Sequence, residues 1–266
     1  MRRRETIGGA ELAFDDEGQG PALVLLAPFP FDRRIWADTV PALRGAGRRV
    51  IALDYPGFGD SAPPPPHQPL SIDGLADLVA GVLDLLALPR AGLLGLSMGG
   101  YVALAFAGRF PERLESLALA DTRAPGDSPT SRAGRATALA AIRDNGVEAY
   151  LQQSVPRLLA EAAPANTRAR ALALAERRPE ALIQAIEALR DRPDRTADLA
   201  RIACPTLVIA GEADRVTPAA EMRELAAAIA GAVFVAIPGA GHLSNLEAPA
   251  AFNTALLDFL RAGRSR

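Results

Sequence analysis

Lysine is missing from this 266-residue sequence, and cysteine, histidine and aromatic side chains are scarce. Without lysine there is no Schiff base and no lysine nucleophile, and every permanent side-chain cation is an arginine. Cys204 is the one cysteine, which excludes an intramolecular disulfide and a cysteine-based metal cluster and leaves the fold to rest on its core. A basic surface is lacking too: the formal net charge is −2, so no overall positive field exists to hold a nucleic-acid backbone. The apolar runs, such as Ala22 to Ala27, are far too short to span a bilayer. Arg2 to Arg4 look like the basic start of an export signal, but Glu5, Gly8, Gly9 and Glu11 stand where an apolar stretch would be needed. A cytoplasmic location is therefore expected, with neither nucleic acid nor membrane as partner, and self-association is left open.

What is present suits one α/β domain with a large core, since 49% of residues are hydrophobic and 23% charged. Strand-like runs are predicted at Ala10 to Phe14, Leu23 to Ala27, Arg49 to Leu53, Ala91 to Leu96 and Ser116 to Ala120. Helical spacing is predicted over Arg34 to Arg44, over Ser71 to Leu86 with Ser71 as cap, and over Met98 to Arg109. The proline run Pro63 to Pro66 reads as a stiff surface loop. Fully apolar strands joined by helices imply a mainly parallel sheet covered on both faces. From Thr122 to Ala200 the pattern changes to Ala-, Leu- and Arg-rich helical stretches broken by prolines, before strands return at Thr206 to Ala210 and Val233 to Ile237. The expected organisation is a core of residues 1–121 and 201–266 with an all-helical insertion, residues 122–200.

The chemistry concentrates where predicted strands end. Gly95-Leu96-Ser97-Met98-Gly99 fits Gly-x-Ser-x-Gly at an abrupt strand-to-helix turn, where small neighbours let a strained serine project its hydroxyl. A serine hydroxyl is a poor nucleophile near neutral pH and needs a base within hydrogen-bond reach. Of the two histidines, His67 follows the proline run in a polar loop, whereas His242 follows the last predicted strand and precedes Ser244-x-x-Glu247, a capping-box pattern. A carboxylate should hold the far ring nitrogen. Asp214, in the loop after Thr206 to Ala210, satisfies the chain order serine, acid, histidine; Asp121, which ends the strand beside the serine strand, competes with it, and Glu212 is a weaker candidate. The amides of Met98 and Phe29 are the expected oxyanion donors, because Pro28 and Pro30 on either side of Phe29 have no N–H. Pro30, Trp36, Val216 and Leu243 are expected to line the substrate pocket, although a lone tryptophan at helical spacing also suits the core.

Together Asp54-Tyr-Pro-Gly-Phe-Gly-Asp-Ser61, Gly95-Leu-Ser-Met-Gly-Gly100, Gly211-Glu-Ala-Asp-Arg-Val-Thr-Pro218 and Gly239-Ala-Gly-His242 resemble bacterial α/β-hydrolase-fold esterases and lactonases, including the 3-oxoadipate enol-lactonase group. The resemblance spans essentially the whole chain. It implies an α/β-hydrolase fold whose insertion is a helical cap, with Ser97, Asp214 and His242 as the matching catalytic residues and no cofactor or metal. Many relatives carry His-Gly where this sequence has Ala27-Pro28. Similar folds that use an aspartate nucleophile, the epoxide hydrolases and haloalkane dehalogenases, are disfavoured by serine at position 97. The expected activity is hydrolysis of a small or medium, rather apolar acyl substrate, an ester or lactone. Perhydrolysis, carbon–carbon bond hydrolysis and acyl transfer use the same three residues and stay open, as does a ligand-binding member of the fold without turnover.

Overall fold

The apolar runs become the centre of a single sheet in a computed structural model that describes residues 1–65 and 67–262. Its strands are β1 (Arg2–Ile7), β2 (Ala10–Glu17), β3 (Ala22–Leu26), β4 (Arg49–Leu53), β5 (Ala91–Leu96), β6 (Leu114–Ala120), β7 (Thr206–Gly211) and β8 (Val233–Ile237). They lie in the order β1-β2-β4-β3-β5-β6-β7-β8, antiparallel at the β1–β2 and β2–β4 pairs and parallel from β4 to β8. This is the α/β-hydrolase fold. Every residue of β3, β5 and β7 is buried, as strands covered on both faces require, whereas β1 alternates at the sheet edge.

The first strand was not expected. Gly8 and Gly9 both have positive φ, the conformation of a two-residue hairpin turn that returns Ile7 onto Ala10. Arg2 to Arg4 are therefore an edge strand, paired with β2.

The helices are α1 (Val40–Gly45), α2 (Ile72–Leu85), α3 (Met98–Arg109), α4 (Pro129–Ser154), α5 (Ala165–Leu174), α6 (Pro179–Asp191), α7 (Ala219–Ala227), α8 (Ser244–Glu247) and α9 (Pro249–Ala262). Ser71 caps α2, its hydroxyl accepting the Gly74 amide at 3.0 Å. The helix expected over Arg34 to Arg44 is instead a 3-10 turn, Arg33–Trp36, followed by α1. Pro41 explains the break, because it has no N–H to continue a helix and suits only the first turn of a new one. Of the proline run, Pro66 lies outside the described residues; His67 beside it is exposed.

Between β6 and β7 the chain forms α4, α5 and α6, with Pro129 and Pro179 in the first turns of α4 and α6 and a kink in α4 at Gly146. Its one extended contact among the described residues is an isolated bridge from Ala175 to Phe31. Asp127 pairs with Arg135 and Arg192, and the Arg192 guanidinium stacks 4.2 Å from the Tyr101 ring, which fastens this segment to α3. Among the described residues no helix is long and apolar enough to cross a membrane.

Candidate active site

Ser97 stands between β5 and α3 at φ 52°, ψ −113°, a backbone conformation that a side chain other than glycine adopts only under constraint. The constraint is local and visible. Its amide donates to Ala120 of β6 at 2.9 Å, and its carbonyl accepts the Gly100 amide at 2.9 Å and the Thr122 hydroxyl at 2.8 Å. A β-carbon on Gly99 would lie 2.0 Å from the Leu26 carbonyl oxygen, and one on Gly95 would lie 2.2 Å from the Gly99 carbonyl oxygen. Only glycine permits that turn, so the pattern around Ser97 records a packing requirement as well as a chemical one.

His242 and Asp214 come to Ser97 from the ends of β8 and β7. The serine Oγ lies 2.8 Å from His242 Nε2, and His242 Nδ1 lies 2.7 Å from Asp214 Oδ2. With Nδ1–H donating to the carboxylate, Nε2 is left as acceptor for the serine hydroxyl. His242 and Asp214 are buried, whereas Ser97 keeps some exposure. Burial alone pushes the Asp214 carboxyl up, but hydrogen bonds and charge from His242 and bonds from Thr217 outweigh it and hold the group below the usual carboxylate range. Asp214 Oδ1 accepts the amides of Val216 at 2.7 Å and Thr217 at 3.1 Å, and Oδ2 also accepts the Thr217 hydroxyl at 2.6 Å. The carboxylate is thereby fixed in orientation before it meets the imidazole.

Asp121 makes different contacts. It too follows a strand, at φ 45°, but its Oδ1 accepts the Gly211 amide at 2.7 Å and its Oδ2 accepts Ser244. It braces the end of β7 against the loop after His242 without a hydrogen bond to the imidazole. Complete burial pushes its carboxyl up to about 7. Glu212 is exposed, as a solvated loop charge should be.

Among the described residues, the two amides expected to bind an oxyanion are uncommitted. In the loop after β3 the Phe31 amide donates to the Pro28 carbonyl at 2.8 Å and the Pro30 carbonyl accepts the Glu176 amide at 2.9 Å. Among the described residues, neither Phe29 nor Met98 gives its N–H to a carbonyl in a loop or cap bond. Met98 opens α3, where the first amides have no partner within the helix. Of the residues expected to line the pocket, Trp36 and Leu243 have no exposed surface, and Trp36 packs on Phe252 with ring centroids 6.3 Å apart, so both belong to the core. A wholly buried side chain has no face for a ligand. Pro30 is buried and Val216 is 40% exposed.

Several supporting residues were not anticipated. Thr122 and Thr217 bind through hydroxyls to positions decided by the fold. Arg33 is buried against Asp54, Asp15 and Asp60, and its amide donates to Asp54 Oδ1 at 2.9 Å, which pins the segment after Phe31 to the loop after β4. Burial pushes the Asp54 carboxyl up to about 6. Glu176 accepts the Gly59 amide at 3.0 Å and pairs with Arg178, which in turn donates to the Gly59 carbonyl at 2.8 Å. Asp54 and Gly59 stood in a motif that the resemblance singled out; Glu176 and Arg178 carried no such signal.

Comparison with known proteins gives this geometry its context. A model described as the alpha/beta hydrolase family matches residues 23–255. The structure is similar to that of a thermophilic esterase from Thermogutta terrifontis, with a TM-score of 0.92 and 35% identity over 99% of each chain. It is similar to an enol-lactonase from Burkholderia xenovorans LB400, with a TM-score of 0.87 and 32% identity, covering 97% of this chain and 100% of that one. In sequence, 3-oxoadipate enol-lactonase 2 of Acinetobacter baylyi is 33% identical over 211 residues, 78% of this chain and 76% of that protein.

Proposed function

This chain belongs to the alpha/beta hydrolase family, and from that premise we propose that it is a serine hydrolase that cleaves a carboxylic ester or lactone through an acyl-enzyme. The observation that carries the reading is the unbroken relay from Ser97 Oγ to His242 Nε2 at 2.8 Å and from His242 Nδ1 to Asp214 Oδ2 at 2.7 Å. Ser97 attacks the acyl carbon as His242 takes its proton, and Asp214 stabilises the imidazolium that results. The amides of Met98 and Phe29 receive the oxyanion of the tetrahedral intermediate. The imidazolium then protonates the leaving alkoxide. Water, deprotonated by the same imidazole, attacks the acyl carbon and releases the acid, restoring the serine hydroxyl. In a lactone the leaving alkoxide is tethered to the acyl group, so a single hydroxy acid is released.

In this reading the segment between β6 and β7 is a cap over the serine. Its support is the contact of that segment with both sides of the site, through the bonds from the His242 amide to the Leu158 carbonyl and from the Glu176 amide to the Pro30 carbonyl, both 2.9 Å. A small or medium acyl group of low polarity suits a cap rich in Ala and Leu. The cytoplasmic setting is part of the same reading and rests on sequence alone.

Short-chain p-nitrophenyl esters and a fluorophosphonate probe test it directly. Turnover of the esters with stoichiometric labelling of Ser97 is expected, and a folded protein that neither turns them over nor takes the label would refute the assignment.

A further inference from the structure

Glu247 does not close the capping box expected with Ser244. Ser244 gives its hydroxyl to Asp121, and Glu247 turns back toward the histidine loop. Its Oε1 accepts the amides of Gly241 at 3.0 Å and Leu243 at 3.3 Å, the two neighbours of His242 in the chain. Its Oε2 accepts the amide of Ala160, at 2.8 Å, from the segment between β6 and β7. The amide of His242 itself donates to the Leu158 carbonyl at 2.9 Å. Three consecutive amides of the histidine loop are thus taken up by one carboxylate and the carbonyl of a distant segment.

The approach of the two segments leaves no slack. A β-carbon on Gly241 would lie 2.3 Å from the Ala160 nitrogen, 2.7 Å from the Leu159 carbonyl carbon and 2.9 Å from Glu247 Oε1. The chemistry of the junction also calls for an anion. A carboxylate offers acceptor sites on both oxygens, whereas a carboxamide has one accepting oxygen and would turn its NH2 toward at least one of the three amides. Burial pushes the Glu247 carboxyl up, and the amides of Ala160, Gly241 and Leu243 oppose that push.

We propose that Glu247 is a positioning residue for His242, locking the base's loop to residues 158–160 so that proton transfer is in register only when the insertion is seated. The inference rests on the serine-hydrolase reading above. Glu247 touches no reacting atom; it acts through the backbone on either side of the imidazole, where a displacement of about 1 Å can cost about a hundredfold in rate.

The test compares wild type with Glu247→Gln and Glu247→Ala, counting active sites by fluorophosphonate labelling and measuring p-nitrophenyl acetate hydrolysis per labelled site. The expected result is a kcat per labelled site lower by about tenfold to a hundredfold in Glu247→Ala and less in Glu247→Gln, with KM held within about threefold. A bracing role alone would lower the melting temperature and leave the rate at each labelled site unchanged, and that outcome, or a loss carried wholly by KM, overturns the proposal. Should the alanine variant fail to fold, the glutamine variant, which keeps the volume and one acceptor, decides the matter. Wild-type protein that takes no label would refute the serine-hydrolase reading instead, so the two failures are told apart.

Discussion

Asp121 grips Ser244, two residues beyond His242, through both the amide at 3.3 Å and the hydroxyl, while the imidazole turns to Asp214. The two buried carboxylates at the ends of adjacent strands therefore have separate tasks. Asp214→Asn should lower kcat/KM by about 10³ to 10⁴, because an amide there no longer holds the tautomer that leaves Nε2 free to accept. Asp121→Asn should cost about tenfold at most in rate, with its main effect on stability, since it disturbs the brace rather than the relay. Steady-state kinetics of both variants check this, and the reverse ranking would move the acid role to Asp121.

Ser97→Ala removes the nucleophile and very little packing. Ester hydrolysis should fall by about five to six orders of magnitude while the melting temperature stays near that of the wild type. Rate and calorimetry measured on one preparation check it, and retained turnover would refute the choice of nucleophile.

Thr217→Val keeps the shape and deletes the hydroxyl that donates to Asp214 Oδ2 at 2.6 Å. A hydrogen bond to a charged group contributes about 1.5–3 kcal/mol, so kcat/KM should drop by about tenfold to a hundredfold, mostly in kcat. An unchanged kcat would mean that the Val216 and Thr217 amides orient the carboxylate unaided.

Glu176 gives a pH-dependent prediction. Burial favours its neutral form, but Arg178 and the amides of Arg178, Arg177 and Gly59 prevail and lower the carboxyl from 4.5 to about 2. The folded state thus binds this proton more weakly than the unfolded state, so the contribution to stability is present above about pH 4.5 and is lost as pH falls through about 2. Melting curves of wild type and Glu176→Gln should differ most near neutrality and approach each other as pH falls from 4.5 toward about 2. A gap that stays constant with pH would show that the carboxylate charge is not what matters.

How much of this was legible in the sequence depended on the range of the interactions. Ser97 announced itself because the elbow is a local device: an apolar strand, two glycines and a helix within one short stretch. The choice between Asp121 and Asp214 was not local. Both residues follow strands, and the partners that separate their roles, Gly211 and Ser244 for Asp121, lie 90 and 123 residues away. Glu176 and Glu247 were harder still, because most of their partners are backbone amides, which every residue except proline has and no side-chain pattern reveals. The Arg34 to Arg44 helix failed for the opposite reason: its apolar spacing was sound, and Pro41 outweighed it. Trp36 shows that a large aromatic beside a functional loop is as readily a wedge in the core as a wall of the site.

Two of the stitches that hold down the segment between β6 and β7 are Glu247, beside His242, and Glu176, beside the Phe29 loop. Warming that frays either stitch would silence the enzyme while its central strands still hold. Its working temperature range would then end below its melting point, and substitutions that add apolar mass beneath the sheet would raise the second without moving the first.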